Sequence, residues 1–152
     1  MAFKNEYLTE EEKKEIKEMM IGYTPDSGGK YGAHMYYPSW WAVDRERNLK
    51  FFHTFYNRDD STDEFFALLT SESERPIYIE QRRTWEDEVM IWKLEGLFLP
   101  EDLRQKADAM TKEEKHKYCG YWLDIMKEAL VVYGYGGNPE DDYSDFEVKF
   151  DY

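Results

Sequence analysis

The sequence predicts a single α+β domain over residues 1–152, with an antiparallel sheet of about four to five strands in the middle of the chain. Three observations carry this. Helix-start signals with apolar periodicity occupy both ends, short aromatic and β-branched runs separated by charged clusters occupy the middle, and no repeat or linker divides the two. The N-terminal helix and two C-terminal helices are expected to pack on one face of the sheet.

The first helix is signalled by Thr9-Glu10-Glu11-Glu12, a hydroxyl followed three residues later by Glu, which is a capping box. Ile16, Met19 and Met20 give it a narrow apolar edge, and Gly22 marks its end. Thr24-Pro25-Asp26-Ser27-Gly28-Gly29 reads as a loop, because Pro fixes φ and consecutive glycines permit positive φ.

From His34 to Leu99 the chain reads as the sheet. Tyr36, Tyr37, Trp40, Trp41 and Val43 precede the polar cluster Asp44–Asn48, and Leu49 to Tyr56 follow it, which predicts a hairpin with a longer loop. In the second strand Phe51, His53 and Phe55 share a face. Ile77-Tyr78-Ile79 opens another strand after Pro76, and Val89 to Leu94 forms the next. Phe65 to Leu69 fits a strand or a helical turn, since Ser61-Thr62-Asp63-Glu64 resembles a helix cap and the apolar run is too short for its period to decide.

The last third reads as helical. Pro100 suits a first helical position, and Leu103, Ala107 and Met110 recur at helical spacing before a second capping box, Thr111-Lys112-Glu113-Glu114. The helix after it carries Tyr118, Trp122, Ile125, Ala129 and Val132 on one stripe, flanked by Cys119, Met126 and Leu130. Gly134, Gly136 and Gly137 end it. Residues 138–152 form an acidic segment, an edge strand or a tail, in which Phe146, Val148 and Phe150 alternate with charged residues.

Charge is the main functional signal. The chain has 33 Asp+Glu against 20 Lys+Arg, a net charge of −13, whereas solubility alone asks for a magnitude of about 2–8 in a small domain. Disorder is excluded by 5 Trp, 13 Tyr and 9 Phe, enough large apolar groups for a core. Direct nucleic-acid binding and anionic membrane surfaces are disfavoured, because both require clustered Lys and Arg. A single cysteine, Cys119, excludes an intramolecular disulfide, and neither an apolar signal core nor a spanning stretch is present, so a cytoplasmic location is expected.

No motif establishes catalysis. Asp26-Ser27-Gly28-Gly29 resembles the nucleophile segment of trypsin-like serine proteases over four residues, but no histidine precedes Ser27. Gly29-Lys30 lacks the remaining glycine and hydroxyl of a phosphate loop. His34, His53 and His116 have no ligand spacing, and Asp59, Ser61 and Asp63 lack the glycine and final glutamate of a calcium loop, so neither a metal nor a cofactor is expected. Cys119 reads as a small hydrophobe, and Glu80 with Arg82 and Arg83 reads as a cross-strand ion pair.

Three function classes follow. The first is an acidic protein-binding or inhibitor protein, of immunity, antitoxin or nucleic-acid-mimic type, that engages a basic partner through Asp59, Asp60, Asp63, Glu64, Glu140, Asp141, Asp142 and Asp145. The second is a small-molecule or carbohydrate binder with an aromatic cleft or anchor drawn from Trp40, Trp41, His53, Tyr78 and Trp85. The third is a small enzyme assembled by the fold from His53, Glu80 and Arg82. Charge with aromatic anchors places the first ahead, and catalysis is not the expected role.

Overall fold

The structure, a computed structural model, describes residues 3–20, 40–55, 63–86, 89–133 and 148–149. Helix α1 (Glu10–Met20) is followed by strands β1 (Trp40–Asp44), β2 (Leu49–Phe55), β3 (Asp63–Leu69), β4 (Ile77–Glu86) and β5 (Val89–Phe98), then helices α2 (Glu101–Asp108) and α3 (Lys112–Tyr133) and the short strand β6 (Val148–Lys149). The strands form one sheet in sequence order, antiparallel from β1 to β5, with β6 added parallel to β5 at Leu97 and Phe98. The expected α+β architecture is therefore present, and the C-terminal segment supplies an edge strand.

Both faces of this sheet are covered, and the sequence carries the reason in adjacent apolar residues. Phe51 and Phe52, Phe66 and Ala67, and Tyr78 and Ile79 are all buried, so each pair sends one side chain to each face. On one face Phe51, Phe66, Leu68, Ile77, Ile79 and Leu97 pack with α2 and α3. On the other, Val43, Phe52, Ala67, Tyr78 and Phe98 pack with Leu8 and with Ile16 of α1. The expected single helical layer is thus divided. Helices α2 and α3 share a face, and α1 covers the opposite one, because a sheet apolar on both sides needs two covers.

The N-terminal segment reaches that second face by passing around the β1 edge. Phe3 joins the α3-side core, with its ring 6.3 Å from that of Phe51. Lys4 then pairs with Val43 through two backbone bonds of 2.9 Å, and Leu8 enters the opposite core. The same pairing covers part of an edge strand that would otherwise be open to other chains.

Both capping boxes form as expected. The Glu12 amide donates to Thr9 Oγ1 at 3.1 Å while the Thr9 amide donates to Glu12 Oε1 at 3.0 Å, and Thr111 and Glu114 repeat the exchange at 3.2 and 3.0 Å. Pro100 is one residue outside α2, as its cap, with an extended ψ of 162°. Phe65 to Leu69 is strand, and Asp63 and Glu64 begin it instead of capping a helix, because β2 and β4 pair with this segment from both sides. Along α3 the buried stripe is Cys119, Trp122, Leu123, Met126, Ala129 and Leu130, with Ile125 beside it and Tyr118 and Val132 at its margins. Leu123, absent from the expected stripe, moves the buried face toward the Met126 and Leu130 side.

The turn between β1 and β2 uses Asp44 as an anchor. Its Oδ1 accepts from the amides of Glu46 and Arg47, each at 3.1 Å, and Asn48 takes the left-handed conformation with φ 53°, which Asn tolerates better than most residues. The proposed ends of α1 at Gly22 and α3 at Gly134, Gly136 and Gly137, the loop Thr24–Gly29, and residues Tyr36, Tyr37, Phe146 and Phe150 lie outside the described residues.

Phe66 stacks on Phe51 with ring centroids 5.5 Å apart and lies 5.0 Å from the His53 ring, fully buried between strands. Phe66→Ala is expected to lower stability by about 3–5 kcal/mol, the range for deleting a core aromatic, as read from urea unfolding.

Candidate functional site

Cross-strand rows fix which of the predicted aromatic residues can act together. One row runs Trp40, His53, Phe66, Ile79, Leu97, and the neighbouring row runs Trp41, Phe52, Ala67, Tyr78, Phe98. His53 is half-buried and belongs to the α2/α3 face with Phe66, whereas Tyr78 is buried in the α1-side core. Trp40 therefore shares a register row with His53, and Trp41 with Tyr78. His53 and Tyr78, two of the five residues proposed for one cleft, are thus on opposite faces, and Trp85, opposite Met90 far along the β4–β5 hairpin, is in neither row.

The proposed catalytic trio separates for the same reason. His53 is on the α2/α3 face, while Glu80, one residue beyond Ile79, alternates to the face of Tyr78 and is buried there. Glu80 is opposite Phe65 and Gly96, at a register shift between Glu80 and Gln81. In the β3–β4 register Asp63 is directly across from Arg82.

Of the predicted acidic partner-binding residues, Asp63 and Glu64 open β3, and Asp59, Asp60, Glu140, Asp141, Asp142 and Asp145 lie outside the described residues. A different acidic region is visible at the opposite end of the sheet. In an antiparallel meander alternate turns fall at the same end, so Asp44–Leu49, Thr70–Pro76 and the start of α2 after Phe98 are neighbours. There an open groove of about 440 Å³ is lined by Glu74, Arg75, Pro100, Glu101, Asp102 and Gln105. The Ser73 hydroxyl donates to Asp102 Oδ1 at 2.9 Å, which ties the β3–β4 turn to α2, and Gln105 donates to Glu101 Oε1 at 3.3 Å.

These groove acids carry no motif of their own in the sequence. The signal for them is the alternation Glu72-Ser73-Glu74 before Pro76 and the acids after Pro100, two stretches of turn chemistry far apart in the chain. Only the pairing of β4 with β5 makes them adjacent.

Two arginines of the same sheet end, Arg45 and Arg47, are paired with carboxylates of the fold, while a third, Arg75, lines the groove with the acids. Arg45 forks onto Glu12, with bonds of 2.6 Å to Oε2 and 3.2 Å to Oε1, and its Nε donates to Glu6 at 2.9 Å. Arg47 donates to Asp44 Oδ2 and to Glu128, each at 2.7 Å, and its guanidinium lies 5.6 Å from the Phe3 ring centre. These bonds are reflected in proton affinities. The Arg45 fork, against a smaller cost of burial, holds the Glu12 carboxyl down at about 2 instead of 4.5. At Asp44 burial acts to raise the pKa, but the Arg47 guanidinium and amide reverse this and the carboxyl stays below its ordinary value.

Cys119 is buried on α3, and desolvation pushes its thiol up to about 11 despite the opposing charge of Lys115, so it is not a thiolate at neutral pH. Tyr118 and Trp122 meet edge to face at 6.2 Å, and neither the Tyr118 hydroxyl nor the Trp122 indole N–H has a hydrogen-bond partner among the described residues. Burial raises the Tyr118 phenol, and the nearby indole N–H opposes this without reaching bonding geometry. Among the described residues no group of three His, Cys, Asp or Glu side chains is arranged to hold a metal ion, and no helix is long and apolar enough to cross a membrane.

Two outcomes are expected from this electrostatic arrangement. Because the folded Glu12 pKa lies below the unfolded value, its contribution is complete above pH 4.5 and disappears as pH falls toward 2. The stability difference between the wild type and Arg45→Met, measured by urea unfolding, should accordingly be largest near neutral pH and narrow through that window. Cys119 should react with iodoacetamide only as fast as the protein opens, with full labelling in denaturant.

No protein-family model matches this sequence, and no curated protein or solved structure matches it significantly.

Proposed function

We propose that this chain is a binding protein that engages a basic protein partner, acting as an inhibitor or neutralising subunit and not as an enzyme. The observation that carries the reading is the unequal use of opposite charges at one end of the sheet. Arg45 and Arg47 are held by Glu6, Glu12, Asp44 and Glu128, while Glu46, Glu72, Glu74, Glu101 and Asp102 are exposed and three of them line an open groove. Arg45 and Arg47 are engaged by carboxylates of the fold, and although Arg75 also lines the groove, acids outnumber it there three to one, in keeping with the net charge of −13.

Such a surface attracts lysine- and arginine-rich proteins over distances comparable to the Debye length, about 8 Å at physiological salt, and repels nucleic acid. A protein that itself binds phosphates is the best-suited partner class, since carboxylates can occupy the positions its cations offer to phosphate oxygens. This is the physical basis for an immunity, antitoxin or nucleic-acid-mimic role, in a reducing cytoplasmic setting suited to the single cysteine.

Affinity capture at low and high salt, followed by stopped-flow association with the retained protein, tests the proposal. The expected partner is basic, its association rate falls steeply with ionic strength, and Glu74→Lys with Glu101→Lys slows association by about tenfold or more while leaving the melting midpoint near that of the wild type. Retention of no basic protein at low salt, or association indifferent to salt and to these substitutions, would sink the reading.

A further inference from the structure

We propose that Tyr7 and Glu10 form a cation-receiving pair that takes an arginine side chain of the basic partner, an inference that rests on the binding reading above and names a contact point for it. Tyr7 is the most exposed large apolar residue among those described, at 86%. Its exposure is imposed by its neighbours. Phe3 is buried in one core, Lys4 pairs with Val43, Glu6 is bonded to Arg45, Leu8 is buried in the opposite core and Thr9 caps α1. A segment fixed at so many points around the sheet edge holds an aromatic ring toward solvent without the entropy loss of ordering it on contact.

The chain's own Lys13 shows what this ring attracts. Its ammonium lies 5.8 Å from the Tyr7 ring centre and 3.4 Å from Glu10 Oε1, so one cation is shared between a π face and a carboxylate. Both partners are open, with the Glu10 side chain 94% exposed, and an exposed pair of this kind is held weakly and exchanges readily. An arginine is the better occupant of the same place. Its planar guanidinium can stack on the phenol ring while its N–H groups fork onto the carboxylate, which the compact lysine ammonium cannot do. Lys13 is then a competitor that yields when the partner docks.

The test uses the full-length chain titrated calorimetrically with an oligo-arginine peptide, and with an oligo-lysine peptide of the same length, at low salt. Oligo-arginine is expected to bind more tightly than oligo-lysine. Tyr7→Ala should weaken oligo-arginine binding by about two- to fivefold, Tyr7→Phe should preserve it, and Lys13→Met should strengthen it more in the wild type than in the Tyr7→Ala background. That last comparison separates loss of a competitor at the ring from a general change in charge. Equal binding by wild type and Tyr7→Ala, with Lys13→Met acting alike in both, overturns this inference while leaving the acidic binding protein in place. Failure of the wild type to bind either peptide overturns both.

Discussion

Two-sided burial of the sheet is the constraint on which the rest of the structure depends. Strands β2, β3 and β4 carry apolar residues at consecutive positions, so no arrangement with one solvated face could satisfy Phe51 and Phe52 together. One cover is the wide apolar face of α3 with α2. The other is assembled from α1 and the residues before it, which must travel around the edge at β1 to arrive. The path of the first residues is in this sense a consequence of core composition.

Charge placement follows from the same geometry. The β1–β2 turn is where the N-terminal segment, α1 and α3 all approach the sheet end, and it is there that Arg45 and Arg47 find Glu6, Glu12, Asp44 and Glu128. Exposed pairs of this kind contribute little singly, but Asp44 is 3% exposed and its carboxylate requires the Arg47 guanidinium and two amides to remain charged. Glu12 has three roles at once, as helix-cap partner, acceptor of the Arg45 fork and neighbour of Lys50. Engagement of Arg45 and Arg47 by the fold's own carboxylates leaves Glu74, Glu101 and Asp102 to outnumber Arg75 in the groove at the turn end, and so connects folding electrostatics to the proposed recognition of a basic protein.

Local chemistry was legible wherever it was complete within a few residues. Both capping boxes, the hairpin about Asp44–Asn48 and the strands opening at Ile77 and Val89 follow from contiguous residues whose hydrogen bonds or alternation need no distant partner. Phe65 to Leu69 was undecided because its strand character comes from two neighbours lying on either side. That Asp63 is opposite Arg82 is likewise set by the pairing of β3 with β4, since 19 positions separate the two in the chain. The aromatic residues group by type in the sequence, whereas the fold puts His53 and Tyr78 on opposite faces of the sheet.

By itself the sequence determined the α+β class, the order of elements, the helix starts and the negative charge, since composition and short-range spacing control these. Tertiary structure alone decided that α1 covers the face opposite α3, that Glu74 meets Glu101 and Asp102 in a groove, and that Tyr7 is left exposed between Phe3 and Leu8, which enter opposite cores. The reason is common to all three. Each depends on strand register and on how the chain passes an edge, and those are set by burying both faces of the sheet at once, which no local stretch of residues encodes.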